Sequence, residues 1–343
     1  MKPSLQSQVD DRLRRLCKPP GSLGALESLA RQLCLCQQTS QPETSPRRVV
    51  IFAADHGVVC EGVTAWPSAA TAMVVDLMIQ GRTASGVFAK RLDCDYQVVD
   101  VGLLRAPCRV QRQGIGDAPS VAAVQRRCTE NLLHAAAMTV PDFEHVWNVG
   151  SSRARSAMAD GCRLVIGGEM GIGNTTSASC VIGLLTGTDA EQVVGRGAGI
   201  DDAGLARKHE VVRAALSRVR SLGDIDTKQI ACEVGGLEIV ALAGFYATAA
   251  ELGLTILLDG LIATSAALIA DGLFPGTRKQ MIAGHRSTEP GHMVALKQLE
   301  LNPLLDLGFR LGEATGALAA LPLVDLAAEM INQMATLDEL KLP

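Results

Sequence analysis

Short apolar runs that end in aspartate or glycine recur along this chain, and helical patterns lie between them. The runs are rich in valine and isoleucine without strict alternation, which is typical of strands buried on both faces of a parallel sheet. Such alternation of strands and helices predicts an open α/β sheet with right-handed crossovers. The predicted strands lie in RVVIFAADHG (48–57), YQVVDVG (96–102), RLVIGGEMGIG (163–173), LTILLDG (254–260) and KQMIAGH (279–285).

Helix-length patterns separate these strands. In open parallel sheets, ligands bind beyond the carboxyl ends of the strands. The residues that directly follow each apolar run are therefore the first candidates for chemistry. The predicted helices cover residues 69–91, 121–138, 174–187, 203–220, 234–252 and 261–271.

The two ends of the chain differ from its middle because neither has a convincing strand. Both ends have helical patterns, and a KPPGS turn at 18–22 interrupts the first of them. A length of 343 residues is compatible with roughly two domains. We expect a large α/β domain over residues 42–300 and a small helical domain formed by residues 1–41 and 301–343.

Composition narrows the class of protein. A net charge of −4 and 3% aromatic residues argue against a nucleic-acid-binding surface, and 48% apolar residues argue against disorder. No stretch of ~18 apolar residues is unbroken, and the polar N-terminus does not resemble a secretory signal. The ten cysteines form no C-x-x-C pair, which favours packing roles over zinc binding. We expect a cytoplasmic protein without a membrane span.

The glycine-rich segment GGEMGIGNTTSAS (167–179) follows a strand and opens a helix. Such a turn exposes backbone N–H groups at a helix N-terminus, which can bind an anion. The spacing resembles a P-loop, but Asn174 stands where the lysine is required. The alternative is a tight turn in which Asn174 or Thr175 caps the helix.

A second glycine-rich turn lies in residues 193–210 and also leads into a helix. Here Arg207 and Lys208 are candidates for phosphate contact, unless they are solvated charges on a helix face.

The pair Asp55 and His56 follows the first strand. This pair is a weak catalytic signal, and bonding to a neighbouring loop is the favoured interpretation.

Glu313 lies in FRLGEATGALAA (309–320), between apolar stretches. Desolvation there would raise its pKa and suit a general base, whereas a carboxylate paired with a helix N-terminus is the equal alternative.

His285 and His292 are seven residues apart with a proline between them. This spacing does not favour a metal site, because metal-binding helices prefer histidines at i and i+4.

Together these segments resemble the nicotinate-nucleotide:5,6-dimethylbenzimidazole phosphoribosyltransferases of cobalamin synthesis. The matching segments are collinear and span nearly the whole chain. They are KPPGSLGALE (18–27), ADHGV with EGVTAWP (54–67), GEMGIGNTTSAS (168–179), GRGAGIDDAGLARK (195–208), GGLEIVALAGFY (235–246), LLDGLIATSAAL (257–268), AGHRSTEPGH (283–292) and LGEATGALAA (311–320).

The resemblance implies transfer of the 5-phosphoribosyl group from nicotinate mononucleotide to a benzimidazole nitrogen, giving α-ribazole 5′-phosphate and nicotinate. It assigns Glu313 as the general base and Glu169 as the second acidic residue. It also implies a homodimer, no metal and no cofactor. The substrate-binding residues that it implies are Pro67, Ser68, Gly171, Gly173, Asn174, Thr175, Lys208, Arg310 and Leu311.

Two departures from the family pattern stand out. Family members often have glycine where this chain has Ala314, and the stretch at 128–138 matches poorly.

Two other functions are weighed beside the transferase. One is an ATP-using kinase or ATPase built on the glycine-rich turn, and the other is a non-catalytic sensor of a mononucleotide.

Overall fold

The computed structural model describes residues 4–106 and 120–340. Within that part of the chain, six parallel strands form one sheet, which confirms the predicted open α/β architecture. The strands are β1 (Arg47–Ala54), β2 (Asp95–Gly102), β3 (Ser120–Ala122), β4 (Leu164–Met170), β5 (Thr255–Leu258) and β6 (Met281–Ala283), in the spatial order β3-β2-β1-β4-β5-β6.

Helices cover both faces of this sheet. Those predicted over 174–187, 203–220 and 261–271 form close to their expected bounds, whereas the pattern at 69–91 divides into two helices. The α-helices of the described residues are α1 (Leu5–Arg15), α2 (Ala25–Cys36), α3 (Ala69–Ile79), α4 (Ala84–Arg91), α5 (Val140–Ala159), α6 (Asn174–Thr186), α7 (Ala190–Val193), α8 (Asp202–Arg220), α9 (Thr227–Val234), α10 (Leu237–Glu251), α11 (Leu261–Leu273), α12 (Pro290–Gln298) and α13 (Thr315–Gln333).

The helix predicted over 121–138 is wrong. The segment starts with the end of β3 and continues without a helix. Its backbone N–H groups bond to other elements instead: Thr129 donates to the carbonyl of Asp55, and Met138 donates to that of Cys232. Tertiary hydrogen bonds therefore override the local helical pattern.

The longest helix that sequence reasoning missed is α5. A capping box starts it, because Thr139 and Asp142 each bond to the other's backbone N–H. This Thr-x-x-Asp spacing before an apolar-periodic stretch was a readable start signal.

Alternation along the central strand creates two cores. Val50 and Phe52 of β1 face one core, shared with α5, α6, α8, α10 and α11. Val49 and Ile51 face the other, shared with α1, α2, α3, α4 and α13. The helices from the two ends of the chain thus pack together on one face of the sheet. The proposed division into residues 42–300 and a terminal helical domain stays a prediction.

Helix α13 is the one helix of the described residues whose length and composition would suit a membrane span. It packs instead against α2, α4 and two strands of the sheet, and Leu318, Leu321 and Val324 are fully buried. Its apolar side is therefore accounted for by the protein core.

Candidate active site

The carboxyl ends of β1, β4 and β5 lie side by side at one edge of the sheet. The chain runs toward opposite edges of the sheet from β1 and from β4, so a crevice opens between them. Buried polar groups occupy all three strand ends: Asp55 and His56 after β1, Glu169 in β4 and Asp259 after β5. Buried carboxyl groups in such a crevice indicate a functional site.

Glu169 is buried and accepts a hydrogen bond from Nδ2 of Asn174. Burial raises the pKa of Glu169 to about 8, and the charges of Glu238 and Asp259 add to the rise against the opposing Asn174 bond. Gly312 lies over this carboxyl group, because a β-carbon there would collide with Glu169 Oε1. A cation that enters the crevice would therefore favour the ionised form of this carboxyl group.

The turn from β4 to α6 contains Gly171 and Gly173. A β-carbon at Gly171 would lie 2.6 Å from the carbonyl oxygen of Ala54, so only glycine fits between the two strand ends. Gly173 adopts a φ of 94° and is the N-cap of α6. The alternative interpretation, in which Asn174 or Thr175 caps this helix, is therefore wrong, and both side chains make other contacts.

Behind this turn, His56 and Glu238 form a fully buried pair, with Nε2 2.6 Å from Oε1. The second oxygen of Glu238 and Nδ1 of His56 have no hydrogen-bond partner. Asp55 accepts an N–H from Leu104 at 2.8 Å, which fits the favoured interpretation of loop bonding. The His56–Glu238 pair lies next to Gly171, and the charge of Glu238 acts on Glu169.

Lys208 is buried on α8, which rules out the solvated alternative, whereas Arg207 is exposed. The Lys208 ammonium group donates to Oγ1 of Thr175 at 2.8 Å and to the carbonyl of Gly195 at 3.1 Å. Burial lowers the pKa of Lys208 to about 8, although the charge of Glu289 opposes the change. An ammonium group held beside a helix N-terminus is suited to bind an anion.

The loop that follows α7 joins several of these groups. Arg310 donates to the carbonyl of Gly197 at 3.0 Å, and the Gly197 N–H donates to Oε1 of Glu289 at 2.9 Å. Gly197 has a φ of 52°, and a β-carbon there would lie 2.8 Å from Oγ1 of Thr175. This loop therefore brings Arg310 close to Lys208.

Glu313 lies in a turn directly before α13, with a φ of 59°. Oγ of Ser85 lies 3.4 Å from its Oε2 and 2.9 Å from the hydroxyl of Tyr96. Burial raises the pKa of Glu313 to about 7, and the charge of Asp259 adds to the rise while the Ser85 bond opposes it. The desolvated-carboxyl alternative thus prevails over simple pairing with the helix dipole.

The other three predicted residues lie at the rim. Pro67 is exposed, and Ser68 is the N-cap of α3; Leu311 is 58% exposed. Thr71, in the first turn of α3, accepts the N–H of Ile172 at 3.3 Å, which places this helix start next to the β4–α6 turn. The structure shows no hydrogen bond from these rim residues to Glu169 or Glu313.

Sequence reasoning missed several groups. Ser85 and Tyr96 belong to an ordinary helix and strand, and no signal in the sequence marks them. Asp259 did carry a signal, because it directly follows an apolar run. No three His, Cys, Asp or Glu side chains within residues 4–106 and 120–340 are grouped so as to hold a metal ion.

The chain matches a family model described as Phosphoribosyltransferase over residues 1–341. A nicotinate-nucleotide–dimethylbenzimidazole phosphoribosyltransferase from Chromobacterium violaceum is 46% identical, covering 94% of this chain and 92% of the relative. Its counterpart from Thermus thermophilus is 42% identical, with 99% and 98% covered. The crystal structure of CobT from Thermus thermophilus superposes with a TM-score of 0.92 at 41% identity, covering 99% of each chain.

Proposed function

The chain belongs to the nicotinate-nucleotide–dimethylbenzimidazole phosphoribosyltransferase family, and we propose that Glu313 and Glu169 carry its chemistry. The enzyme transfers the phosphoribosyl group of nicotinate mononucleotide to 5,6-dimethylbenzimidazole in cobalamin biosynthesis. The relatives support neither ATP turnover nor a non-catalytic sensor. The residue assignments below are proposals built on the geometry.

Lys208 and Thr175 bind the 5′-phosphate of nicotinate mononucleotide. The ammonium group supplies the charge, and Asn174 and Thr175 begin the helix whose N-terminus points positive dipole at the same place. Gly171 and Gly173 let the backbone approach the nucleotide closely. Arg310 holds the Gly197 loop at the edge of this site.

Glu169 stabilises the ribose as the glycosidic bond breaks. The pyridinium of nicotinate mononucleotide carries a positive charge, and its departure as a neutral ring leaves cationic character on the ribose. Binding of the positively charged pyridinium offsets the negative charges around Glu169 and favours the ionised form of Glu169. The carboxylate then stabilises positive charge where it develops, in a site shielded from water.

Glu313 accepts the proton that the benzimidazole must lose. One ring nitrogen forms the new bond to C1′ of the ribose, the bond from C1′ to nicotinate breaks, and the N–H proton on the other nitrogen passes to Glu313. The observation that carries this proposal is a buried carboxyl group whose pKa is raised to about 7. A base of that strength is matched to neutral pH.

Pro67, Ser68 and Leu311 form the edge of the pocket for the aromatic base. Their position at the rim leaves an apolar surface for the flat ring, and Leu311 is exposed to receive it.

We place the enzyme in the cytoplasm as a homodimer. The nine cysteines in the described part of the chain are free thiols, and exposed Trp66 and Met73 offer apolar surface to a second copy. Light scattering after gel filtration would test the dimer.

The decisive test compares wild type with Glu313→Gln, using nicotinate mononucleotide and 5,6-dimethylbenzimidazole as substrates. We expect kcat to fall by about 10²–10⁴-fold, the usual worth of a general base, while nucleotide binding is retained. Products are measured by liquid chromatography with mass detection. Glu210→Gln, at an exposed position on α8, is the control. Unchanged kcat in Glu313→Gln would move the base role to another group.

A further inference from the structure

Asp259 connects the end of β5 to the start of α13. Its buried Oδ1 accepts the backbone N–H of Gly316 at 2.7 Å and of Ala317 at 3.1 Å. These donors lie in the first turn of α13, only three and four residues after Glu313. Ala314, the N-cap residue of α13, has no side chain that could accept these hydrogen bonds. Asp259, at the end of β5, caps the helix in its place.

The turn that Asp259 holds is not favoured by its own sequence. Glu313 and Ala314 have φ values of 59° and 63°, and both lie in the left-handed region. This region is disfavoured for non-glycine residues, because their β-carbon lies too close to the following carbonyl oxygen. Contacts from outside the turn must therefore keep Glu313 in place.

His285 supports Asp259 from the other side. Its Nε2 lies 3.5 Å from Oδ1 of Asp259. The imidazole also packs so closely on Gly316 that a β-carbon at that position would collide with the ring. The His285 ring thus fills the space between β6 and the first turn of α13, and it leaves Asp259 little freedom to move.

Asp259 also places a charge beside the reacting groups. Although burial acts to raise it, the pKa of Asp259 is lowered, because His285 and backbone N–H groups stabilise the ionised form. Its negative charge in turn raises the pKa of Glu313 and of Glu169. The titratable groups that interact with Asp259 or Glu313 include Glu169, Tyr96, Tyr246, His285 and His292.

We propose that Asp259 and His285 are positioning residues for the transfer, which hold the strained turn that contains Glu313 and keep a carboxylate next to it. The inference rests on the proposed role of Glu313 as the base. Neither residue needs to contact the substrate. Asp259 acts through two hydrogen bonds and its charge, and His285 acts by fixing Asp259.

The first test is Asp259→Asn, which keeps an oxygen for both N–H groups and removes only the charge. We expect the pKa of Glu313 to fall, because a nearby like charge is removed. The acid limb of the kcat profile should move to lower pH by the same amount. Asp271→Asn is a matched control, because Asp271 also accepts two backbone N–H groups, from Gly276 and Arg278, outside the site.

The pKa of Glu313 is read directly by ¹³C NMR of enzyme labelled at glutamate carboxyl groups, with Glu313→Gln for assignment. An unchanged titration of Glu313 in Asp259→Asn overturns the charge role. If the resonance moves but the activity profile does not, the charge role stands and Glu313 is not the base. The two failures are thus distinguishable.

The positioning role is tested by Asp259→Ala and His285→Asn. Asp259→Ala loses both N–H bonds, so we expect kcat to fall at least tenfold below that of Asp259→Asn, with nucleotide KM nearly unchanged. His285→Asn should lower kcat in the same way. Equal kcat in the alanine and asparagine variants would overturn the positioning role, and thermal melting would identify a variant that fails to fold.

Discussion

The site has two sides that solve opposite electrostatic problems. On the glutamate side, formed by Glu169, Glu313 and Asp259, negative groups crowd together in a buried space. On the lysine side, a single buried ammonium group, Lys208, lies among neutral oxygens with Glu289 nearby. Burial raises the pKa of both glutamates and lowers the pKa of the lysine. Burial therefore shifts Glu169, Glu313 and Lys208 toward their neutral forms before substrate arrives, whereas the pKa of Asp259 is lowered.

The difference shows how one substrate can activate both sides. Nicotinate mononucleotide carries a phosphate at one end and a positive pyridinium at the other. Under the proposed assignments, the phosphate would favour a charged Lys208, and the pyridinium would favour ionised glutamates. Asn174 and Thr175, adjacent at the start of α6, contact Glu169 and Lys208 respectively. The two sides are thus joined through one peptide bond.

After the loss expected for Glu313→Gln, the next largest effect should come from Lys208→Met, which removes the cation of the lysine side. We expect KM for nicotinate mononucleotide to rise by about 10–100-fold, because a charged hydrogen bond is lost. Wild-type binding should also weaken above about pH 8, where Lys208 loses its proton, and the variant should lack that dependence. Initial rates measured from about pH 6 to about pH 9.5, on both sides of the Lys208 pKa of about 8, provide the measurement.

Nicotinate riboside, which has no phosphate, makes this prediction specific. Wild type and Lys208→Met should use the riboside equally poorly. Exposed Arg207→Met on the same helix is the control. If the variant loses as much with the riboside as with the nucleotide, Lys208 does not bind the phosphate.

A smaller effect should follow from Glu169→Gln on stability. The native pKa of about 8 lies above the ordinary value, so the native state holds the proton more tightly than the unfolded chain. This contribution is complete below the ordinary pKa and is lost as pH rises through about 8. At pH 9 the wild type must bury a charge that the glutamine variant lacks.

Melting temperatures of the wild type and Glu169→Gln check the sign. The variant should melt higher at pH 9, by roughly 3 °C or more, since 1 kcal/mol corresponds to about 2–4 °C in somewhat smaller proteins. The gap should shrink at pH 5. A gap independent of pH would mean that Glu169 is already ionised at low pH.

The smallest effect should come from Ala314→Gly on the glutamate side. Glycine relieves the left-handed strain at φ 63° but loses a buried methyl group and gains freedom in the unfolded chain. These terms nearly cancel, so we expect a change in unfolding free energy below about 1 kcal/mol. Urea denaturation measures it. A larger loss would show that the buried methyl group of Ala314, which lies next to Gly168, contributes more to the stability of the turn than expected.

Much of the glutamate side could be predicted because chemistry follows the strands. Glu169, Asp259 and Asp55 lie in or directly after apolar runs, and that is where a parallel sheet exposes its strand ends. Ser85 and Tyr96 could not be found in this way. They approach Glu313 only through the packing of α4 and β2, which local patterns do not encode.

The failed predictions have a similar cause. Residues 121–138 have helical spacing, but their backbone groups bond to distant segments around residues 55, 102 and 232. The alternative in which Asn174 or Thr175 caps α6 fails because Gly173, at φ 94°, is the N-cap and the Asn174 side chain bonds to Glu169 instead. Local signals failed where tertiary partners were available.

The two cores of the sheet carry a consequence for how such an enzyme diversifies. Glu313, Ser85 and the start of α3 belong to the face covered by α3, α4 and α13. Lys208 and Thr175 belong to the face covered by α6 and α8. Under the proposed assignments, the aromatic base and the nucleotide are recognised on separate faces of the sheet. Substitutions around α3 and α4 should then change the preference for the aromatic base and leave nucleotide binding as it is.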